Sequence, residues 1–119
     1  MQHEIFFVGG TYAGPAKAQV MHGQMSVEML TPERVTQPYP LVLIHGAGQT
    51  SVGWVSTPDG RPGWAGWFAE RGWKVCIIDQ PARGRSAWQP GMDGPLTPFT
   101  VPMIEEELRV QLVKGVWNR

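Results

Sequence analysis

Four consecutive aliphatic residues at positions 41–44 constrain the fold more than any other feature of this chain. The run has none of the polar alternation of a strand with one wet face, so we predict a strand over residues 41–45 that is buried on both faces. Strands of this kind form parallel sheets covered by helices. The following loop contains Gly46 and Gly48, and ligands of open α/β sheets bind at the carboxyl ends of strands. We therefore expect the chemistry of the chain at this loop.

The residues before this strand predict an antiparallel entry into the sheet. Residues 5–8 are apolar and are followed by Gly9 and Gly10, which predicts a short strand ended by a turn. Residues 23–30 alternate polar and apolar side chains, as a second strand would. The sequence thus predicts two short strands before the buried one.

An apolar run and a helical pattern after the glycine loop predict a crossover unit of a parallel sheet. Residues 52–63 are rich in glycine, proline and polar side chains, so we expect a long irregular loop there. Aromatic residues at helical spacing predict a helix over residues 63–71, and Gly72 is placed to end it. The apolar run at residues 73–79 is predicted to form a second buried strand. Two such strands joined by a helix pair in parallel, so the three elements form a crossover unit.

The last predicted element is an amphipathic helix that begins at Thr100. Ile104, Leu108 and Leu112 form its apolar stripe, and Gly115 is placed to end it. Together the elements predict an α/β fold, a mostly parallel sheet with antiparallel N-terminal strands.

Composition excludes several classes of partner. The chain has 119 residues, with ten basic and ten acidic side chains, so no net field favours nucleic acid or an anionic membrane. The three histidines lack metal-ligand spacing, and the lone Cys76 excludes a disulfide framework and is expected to be a small buried hydrophobe. Residues 1–8 lack the features of a signal peptide and no apolar run could span a bilayer, which favours a soluble, cytoplasmic protein by default.

Two motifs at strand ends, taken together, carry a resemblance to a known family. The first is His45-Gly46-Ala47-Gly48, and the second runs from Asp79 to Ser86. This pair resembles the α/β-hydrolase family, in which a His-Gly motif ends one central strand and an Asp-x-x-Gly-x-Gly-x-Ser loop ends the next. Ala82 stands where that loop has its first glycine. Residues 57–64 are also similar to a small branch of bacterial serine esterases.

The resemblance implies hydrolysis of a small-molecule carboxylic ester by a nucleophilic serine, through an acyl-enzyme and without a cofactor. It implies that the backbone N–H of Ala47 is a donor of the oxyanion hole, in a loop formed with His45, Gly46 and Gly48, where His45 holds the loop geometry. Asp79 is expected to cap a turn and to pair with an arginine of its own loop.

The tryptophans divide into two groups by their expected surroundings. Trp54 and Trp88 lie on predicted loops and are the candidates for substrate binding, whereas the tryptophans of the helix and strand are expected to fill the core.

The chain contains no Gly-x-Ser-x-Gly nucleophile motif. Ser51 and Ser86 each have a glycine on one side only, and neither is predicted at a strand-to-helix elbow, so we interpret both as loop hydroxyls. We expect the catalytic serine, acid and histidine beyond Arg119, with residues 1–119 as the N-terminal part of one domain. Such a part would be inactive alone, and its uncovered sheet would favour association into homo-oligomers.

Two other function classes remain open at this point. A dinucleotide-binding domain also places glycines after a buried strand, but Ser51 stands where its third glycine belongs. A non-catalytic module could bind sugars through exposed tryptophans, although it would not need a parallel sheet. Binding of NAD and exposure of the tryptophans are the observations that separate them from a hydrolase.

Overall fold

The computed structural model of the chain describes residues 1–113. Its elements are β1 (Gln2–Ala13), β2 (Val20–Thr31), β3 (Leu41–Ile44), α1 (Val52–Val55), α2 (Trp64–Glu70), β4 (Val75–Asp79) and α3 (Val101–Val113). Within these residues the strands form one sheet in the order β1-β2-β4-β3. Pairing is antiparallel between β1 and β2 and between β2 and β4, and parallel between β3 and β4.

The entry hairpin is antiparallel as predicted, but the predicted turn at Gly9 and Gly10 is wrong. Strand β1 runs through both glycines, whose φ angles of 66° and 88° lie in the left-handed region that glycine reaches without a Cβ clash. The same register continues on either side, from the pair Gly9 and Gln24 to the pair Thr11 and His22. Glycine therefore adjusts the backbone inside this strand and does not end it.

The parallel unit β3-α2-β4 is present, but the prediction of a mostly parallel sheet is wrong for the described residues. Strand β4 lies between β3 and β2 and pairs in opposite senses with the two. The entry hairpin therefore docks on β4, and only one of the pairings is parallel. The sheet is mixed.

Strand β3 is also less buried than its aliphatic run predicts. Val42 and Ile44 are 54% and 55% exposed, whereas Leu43 packs against the core. The reason is positional, since β3 is the last strand in the sheet order and, within residues 1–113, helix α2 packs on one side of the sheet.

The stretch 52–63 is more regular than predicted. It begins with the single helical turn α1, which has Ser51 at its N-cap position, and then folds back so that Ser56 bridges Pro62. The N–H of Gly63 donates to the carbonyl of Val55 at 2.9 Å. A helix of one turn is too short to produce a helical period in the sequence, which is why the pattern indicated only a loop.

Helix α2 is confirmed, with Gly63 as its N-cap and Gly72 at φ 85° just after its C-cap. Its small residues Ala65 and Ala69 are fully buried against β4, where they meet Val75 and Ile77. Small side chains let the helix approach the sheet closely, and this contact is the hydrophobic core of the described chain.

The aromatic residues of α2 do not all fill the core as predicted. Trp64 and Trp67 are 57% and 43% exposed, and Arg71 stacks on the Trp67 ring with its guanidinium carbon 3.8 Å from the ring centroid. Phe68 and Trp73 pack around the core. The prediction is therefore wrong for Trp64 and Trp67, which lie on the outer side of the helix.

Helix α3 begins at Val101, next to the predicted Thr100, whose hydroxyl accepts a hydrogen bond from the N–H of Met103 at 3.4 Å. Ile104 is exposed, so this part of the predicted stripe is not buried. The side chains of Leu108 and Leu112, and the predicted end at Gly115, lie outside the described residues. None of the helices in residues 1–113 is both long enough and apolar enough to span a membrane.

Candidate functional site

Two loops meet at one edge of the sheet because β3 and β4 run in parallel. We call residues 46–50 the glycine loop and residues 80–86 the β4 loop. A cavity of about 390 Å³ lies between them, lined by His45, Gly46, Ala47, Gly48, Gln80, Pro81, Arg83 and Phe99. All four residues of the predicted oxyanion loop thus border one cavity.

His45 ties the glycine loop to the β4 loop. Its buried ring donates from Nδ1 to the Gly46 carbonyl at 2.9 Å and accepts at Nε2 from the backbone N–H of Gln80 at 3.1 Å. These partners assign a neutral imidazole with its proton on Nδ1. The side-chain Nε2 of Gln80 also donates to the His45 carbonyl at 3.1 Å. The arrangement fits a histidine that holds the loop geometry.

Asp79, at the end of β4, fixes the far end of the glycine loop. The residue is 1% exposed, and its Oδ1 accepts from the N–H of Ser51 at 2.8 Å. Its Oδ2 accepts from the N–H and Nε of Arg85 at 2.9 and 3.3 Å. Burial raises the pKa of Asp79, but the hydrogen bonds from Arg85 and Ser51 lower it by more, so the pKa lies below its ordinary value.

The arginine that pairs with Asp79 is Arg85, whereas Arg83 donates from its side chain to the Ala82 carbonyl at 2.9 Å. Arg85 also donates from Nη2 to Glu28 on β2 at 2.8 Å, and to the hydroxyl of Ser51 at 3.3 Å. One guanidinium therefore joins two buried carboxylates from neighbouring strands. This network connects β2, β4 and α1.

Glu28 is a residue that the sequence analysis did not single out. It is buried, and its second oxygen contacts the ring of His3 at 2.8 Å. An acid in an alternating strand normally indicates a solvated face, and the pairing with Arg85 joins positions that are 57 residues apart. A local pattern carries no signal of such a pair.

Ser51 and Ser86, whose neighbouring residues partly match the nucleophile motif, both have structural hydrogen bonds. The hydroxyl of Ser86 is buried, donates to the Asp79 carbonyl at 2.6 Å and accepts from the N–H of Ser26 at 2.8 Å. Ser51 is buried beside Arg85. These contacts are those of loop hydroxyls.

Two residues of the β4 loop show what the backbone requires there. Ala82 has a φ of 64°, in the left-handed region, at the position where the resembled motif has a glycine. Gly84 has a φ of 49°, and a Cβ there would lie 2.6 Å from Oδ2 of Asp79. Glycine at position 84 therefore lets the loop close on the carboxylate.

The two candidate substrate residues lie in different surroundings. Trp88 lines a second cavity of about 580 Å³ together with apolar side chains such as Leu96 and Met103. This cavity adjoins the first one, since Gly48 and Phe99 line both. Trp54 packs against the hydrophobic core and lines neither of these two cavities. In residues 1–113, His, Cys, Asp and Glu side chains form no group that could hold a metal ion.

The structure also bears on the two rival functions. Helix α1 starts directly after the glycine loop, but it has one turn, and the N–H of Ser51 is bound to Asp79 and not free for a phosphate. The exposed Trp64 and Trp67 are what a sugar-binding module would need. The parallel pair of β3 and β4 is not.

The chain is similar to known hydrolases over part of its length. No protein-family model matches it. The "Probable secreted lipase phiG" of Fungal sp. (strain ATCC 74256) is 47% identical over 87 residues, which are 73% of this chain and 22% of that protein. The structure of a novel bacterial esterase is similar with a TM-score of 0.65 at 38% identity, covering 73% of this chain and 30% of the esterase chain. The chain thus spans about a fifth of the length of the lipase and under a third of the esterase.

Proposed function

The chain is related to esterase- and lipase-type hydrolases, as its two loop motifs predict, and on that premise we propose that the whole protein hydrolyses a carboxylic ester by a nucleophilic serine mechanism. Residues 1–119 supply the oxyanion loop and part of the substrate pocket. The nucleophile, the acid and the base come from outside this chain, so the chain alone is expected to be inactive. No cofactor is required.

One observation carries this proposal: the backbone N–H of Ala47 belongs to an exposed loop whose two ends are both held by the end of β4. His45 is bound to Gln80 before Ala47, and Ser51 is bound to Asp79 after it. Attack on an ester carbonyl places negative charge on its oxygen, and donors fixed beforehand stabilise that charge without reorganising. A loop fixed at both ends beside a cavity is suited to this task.

The adjoining cavities supply a place for the ester. Apolar side chains of the second cavity, among them Trp88 and Leu96, would contact the acyl or alcohol part, while the carbonyl lies at the glycine loop. The shared residue Gly48 has a φ of 68°, and a Cβ there would lie 2.9 Å from the ring of Phe99. Glycine thus allows the loop and the aromatic wall to meet.

The test is the pair Ala47→Pro and Ala47→Ser in the full-length protein. Proline deletes the N–H, and loss of one oxyanion donor typically lowers kcat by about 10²–10³-fold, whereas serine keeps the N–H and should change kcat little. Turnover of a short activated ester is measured for each variant, with circular dichroism spectra matched to the parent. Equal kcat for Ala47→Pro and the parent would rule out this N–H as a donor.

A further inference from the structure

We propose that Gln80 is a positioning residue, which sets the direction of the Ala47 N–H through His45; the inference rests on the proposed ester hydrolysis. Gln80 follows β4 directly, and its side chain is exposed and borders the cavity at the glycine loop. It touches the reacting centre only through the residues that it holds. Its effect is therefore on the geometry of the oxyanion donor.

The peptide between Gly46 and Ala47 links the Gly46 carbonyl to the proposed donor. A trans peptide is planar, so the Gly46 carbonyl and the Ala47 N–H point in opposite directions within one rigid unit. Whatever fixes the carbonyl of Gly46 therefore fixes the proposed donor. That carbonyl accepts from Nδ1 of His45 at 2.9 Å and from the N–H of Gln49 at 3.2 Å.

The ring of His45 connects the Gly46 carbonyl to the backbone of Gln80. Nε2 accepts from the backbone N–H of Gln80 at 3.1 Å, so the ring is the neutral tautomer that carries its proton on Nδ1 and donates to Gly46. The tautomer that orients the Gly46 carbonyl is thus set by Gln80. A histidine at this position serves as a connector between two backbones.

The peptide between His45 and Gly46 is also held by Gln80. The Gln80 side chain donates to the His45 carbonyl at 3.1 Å, which fixes the plane that also contains the Gly46 N–H. Gln80 therefore holds His45 at two points, through its backbone to the ring and through its side chain to the carbonyl. Gln80 thus acts on both peptide planes that lead to Ala47, on the first directly and on the second through the His45 ring.

The side-chain contact can be removed without disturbing a core, because Gln80 is exposed. Gln80→Met keeps the length of the side chain and deletes the donor, while Gln80→Lys keeps a donor. In the full-length enzyme we expect Gln80→Met to lower kcat by about threefold to tenfold, the effect of one hydrogen bond on a transition-state contact, with KM changed by less than about twofold. Gln80→Lys should restore most of kcat.

A matched control and a second measurement complete the experiment. Gln19→Met makes the same change at an exposed position in the turn of the entry hairpin and should leave kcat and KM unchanged. The backbone amide resonances of Gly46 and Ala47 should broaden by exchange in Gln80→Met and not in Gln80→Lys. Unchanged resonances and kcat in Gln80→Met would overturn the inference. A parent without turnover on any ester would defeat the ester-hydrolase proposal instead, and the resonances would still decide the role of Gln80.

Discussion

Ala82 holds a backbone conformation that costs alanine about 1–2 kcal/mol relative to the right-handed region. We predict that Ala82→Gly removes this cost and stabilises the protein by a net value of up to about 1 kcal/mol, because the greater unfolded-state entropy of glycine offsets about 0.4–1 kcal/mol of the gain. The control is Ala87→Gly, an exposed alanine outside the left-handed region, which should be neutral or destabilising. Urea unfolding measures both. A less stable Ala82→Gly would contradict the prediction.

Gly84 combines a left-handed φ with contact to a buried carboxylate. We predict that Gly84→Ala destabilises the protein by about 2–4 kcal/mol, because the new Cβ is strained and also displaces Asp79 from its hydrogen bonds. Gly91→Ala is the matched control, since its φ is 78° but no atom lies within 4 Å of the added Cβ. Thermal unfolding should show a loss of about 1 kcal/mol for Gly91→Ala, the strain alone. Equal losses would mean that contact with Asp79 does not matter.

The sequence predicts the role of a single residue when that role depends on residues close to it in the chain. Asp79, Gly84 and Ser86 could be picked out as one motif, and the β4 loop does fold around the carboxylate and carbonyl of Asp79. Glu28 could not be found, because its partner Arg85 is distant in the chain. Gln80 lies within the motif, but its contact with His45 depends on the pairing of β3 with β4.

Several elements depend on Asp79, since its carboxylate joins β4 to α1 and, through Arg85, to β2. The pKa of Asp79 is lowered in the folded state, so its contribution to stability is complete above its unfolded pKa of about 3.9 and is lost as the pH falls through the lowered folded value. We predict that unfolding free energy falls more steeply below about pH 4 in the parent than in Asp79→Asn.

Asp59 supplies the control for this prediction. Its pKa is also lowered, first by a hydrogen bond from Thr57 and then by Arg61, but the carboxylate is exposed on a loop. Asp59→Asn should therefore leave the acid dependence close to that of the parent. Chemical denaturation at a series of pH values compares the three proteins. Parallel curves of unfolding free energy against pH for Asp79→Asn and the parent would contradict the role of the Asp79 carboxylate in acid stability.

Helices and strands were predictable where a hydrophobic period or an apolar run is long enough, or where a turn residue marks the end of the element. Helix α2 and strand β4 follow from helical spacing, Gly72 and the second apolar run. The single turn α1 is too short for a period, and the glycines of β1 indicate a turn that the strand does not make. The mixed sheet with helices and its match to an esterase are consistent with the predicted α/β fold.

The chain is extended over the residues that the structure describes, with a radius of gyration of 17.8 Å. A compact domain of this length would have a value of about 13.5 Å. The difference reflects the exposed hairpin, where Ile5 and Phe7 are each 57% exposed, and the exposed face of β3. Strand β1 is an edge of the sheet described for residues 1–113. Exposed apolar edges favour pairing with other chains.

We therefore predict that the 119-residue chain self-associates in solution at micromolar concentration. Sedimentation velocity should show species larger than a monomer whose fraction rises with concentration. The double variant Ile5→Lys with Phe7→Lys should reduce association, because charge on an edge strand opposes pairing. Gln2→Lys, at an already polar position of the same strand, should not reduce it as far. A monomer at all concentrations would contradict the prediction.

The position of β4 between β2 and β3 also has a consequence for synthesis on the ribosome. Strand β2 ends at Thr31, and β4, which pairs with its inner edge, begins only at Val75. At about 5–20 residues per second, the roughly forty intervening residues take some 2–9 seconds to be added. During this interval the hairpin has made its own pairing, but its inner edge has no partner. An unpaired strand edge is open to pairing with other chains, so rare codons between β2 and β4, which would prolong this interval, should favour aggregation during synthesis.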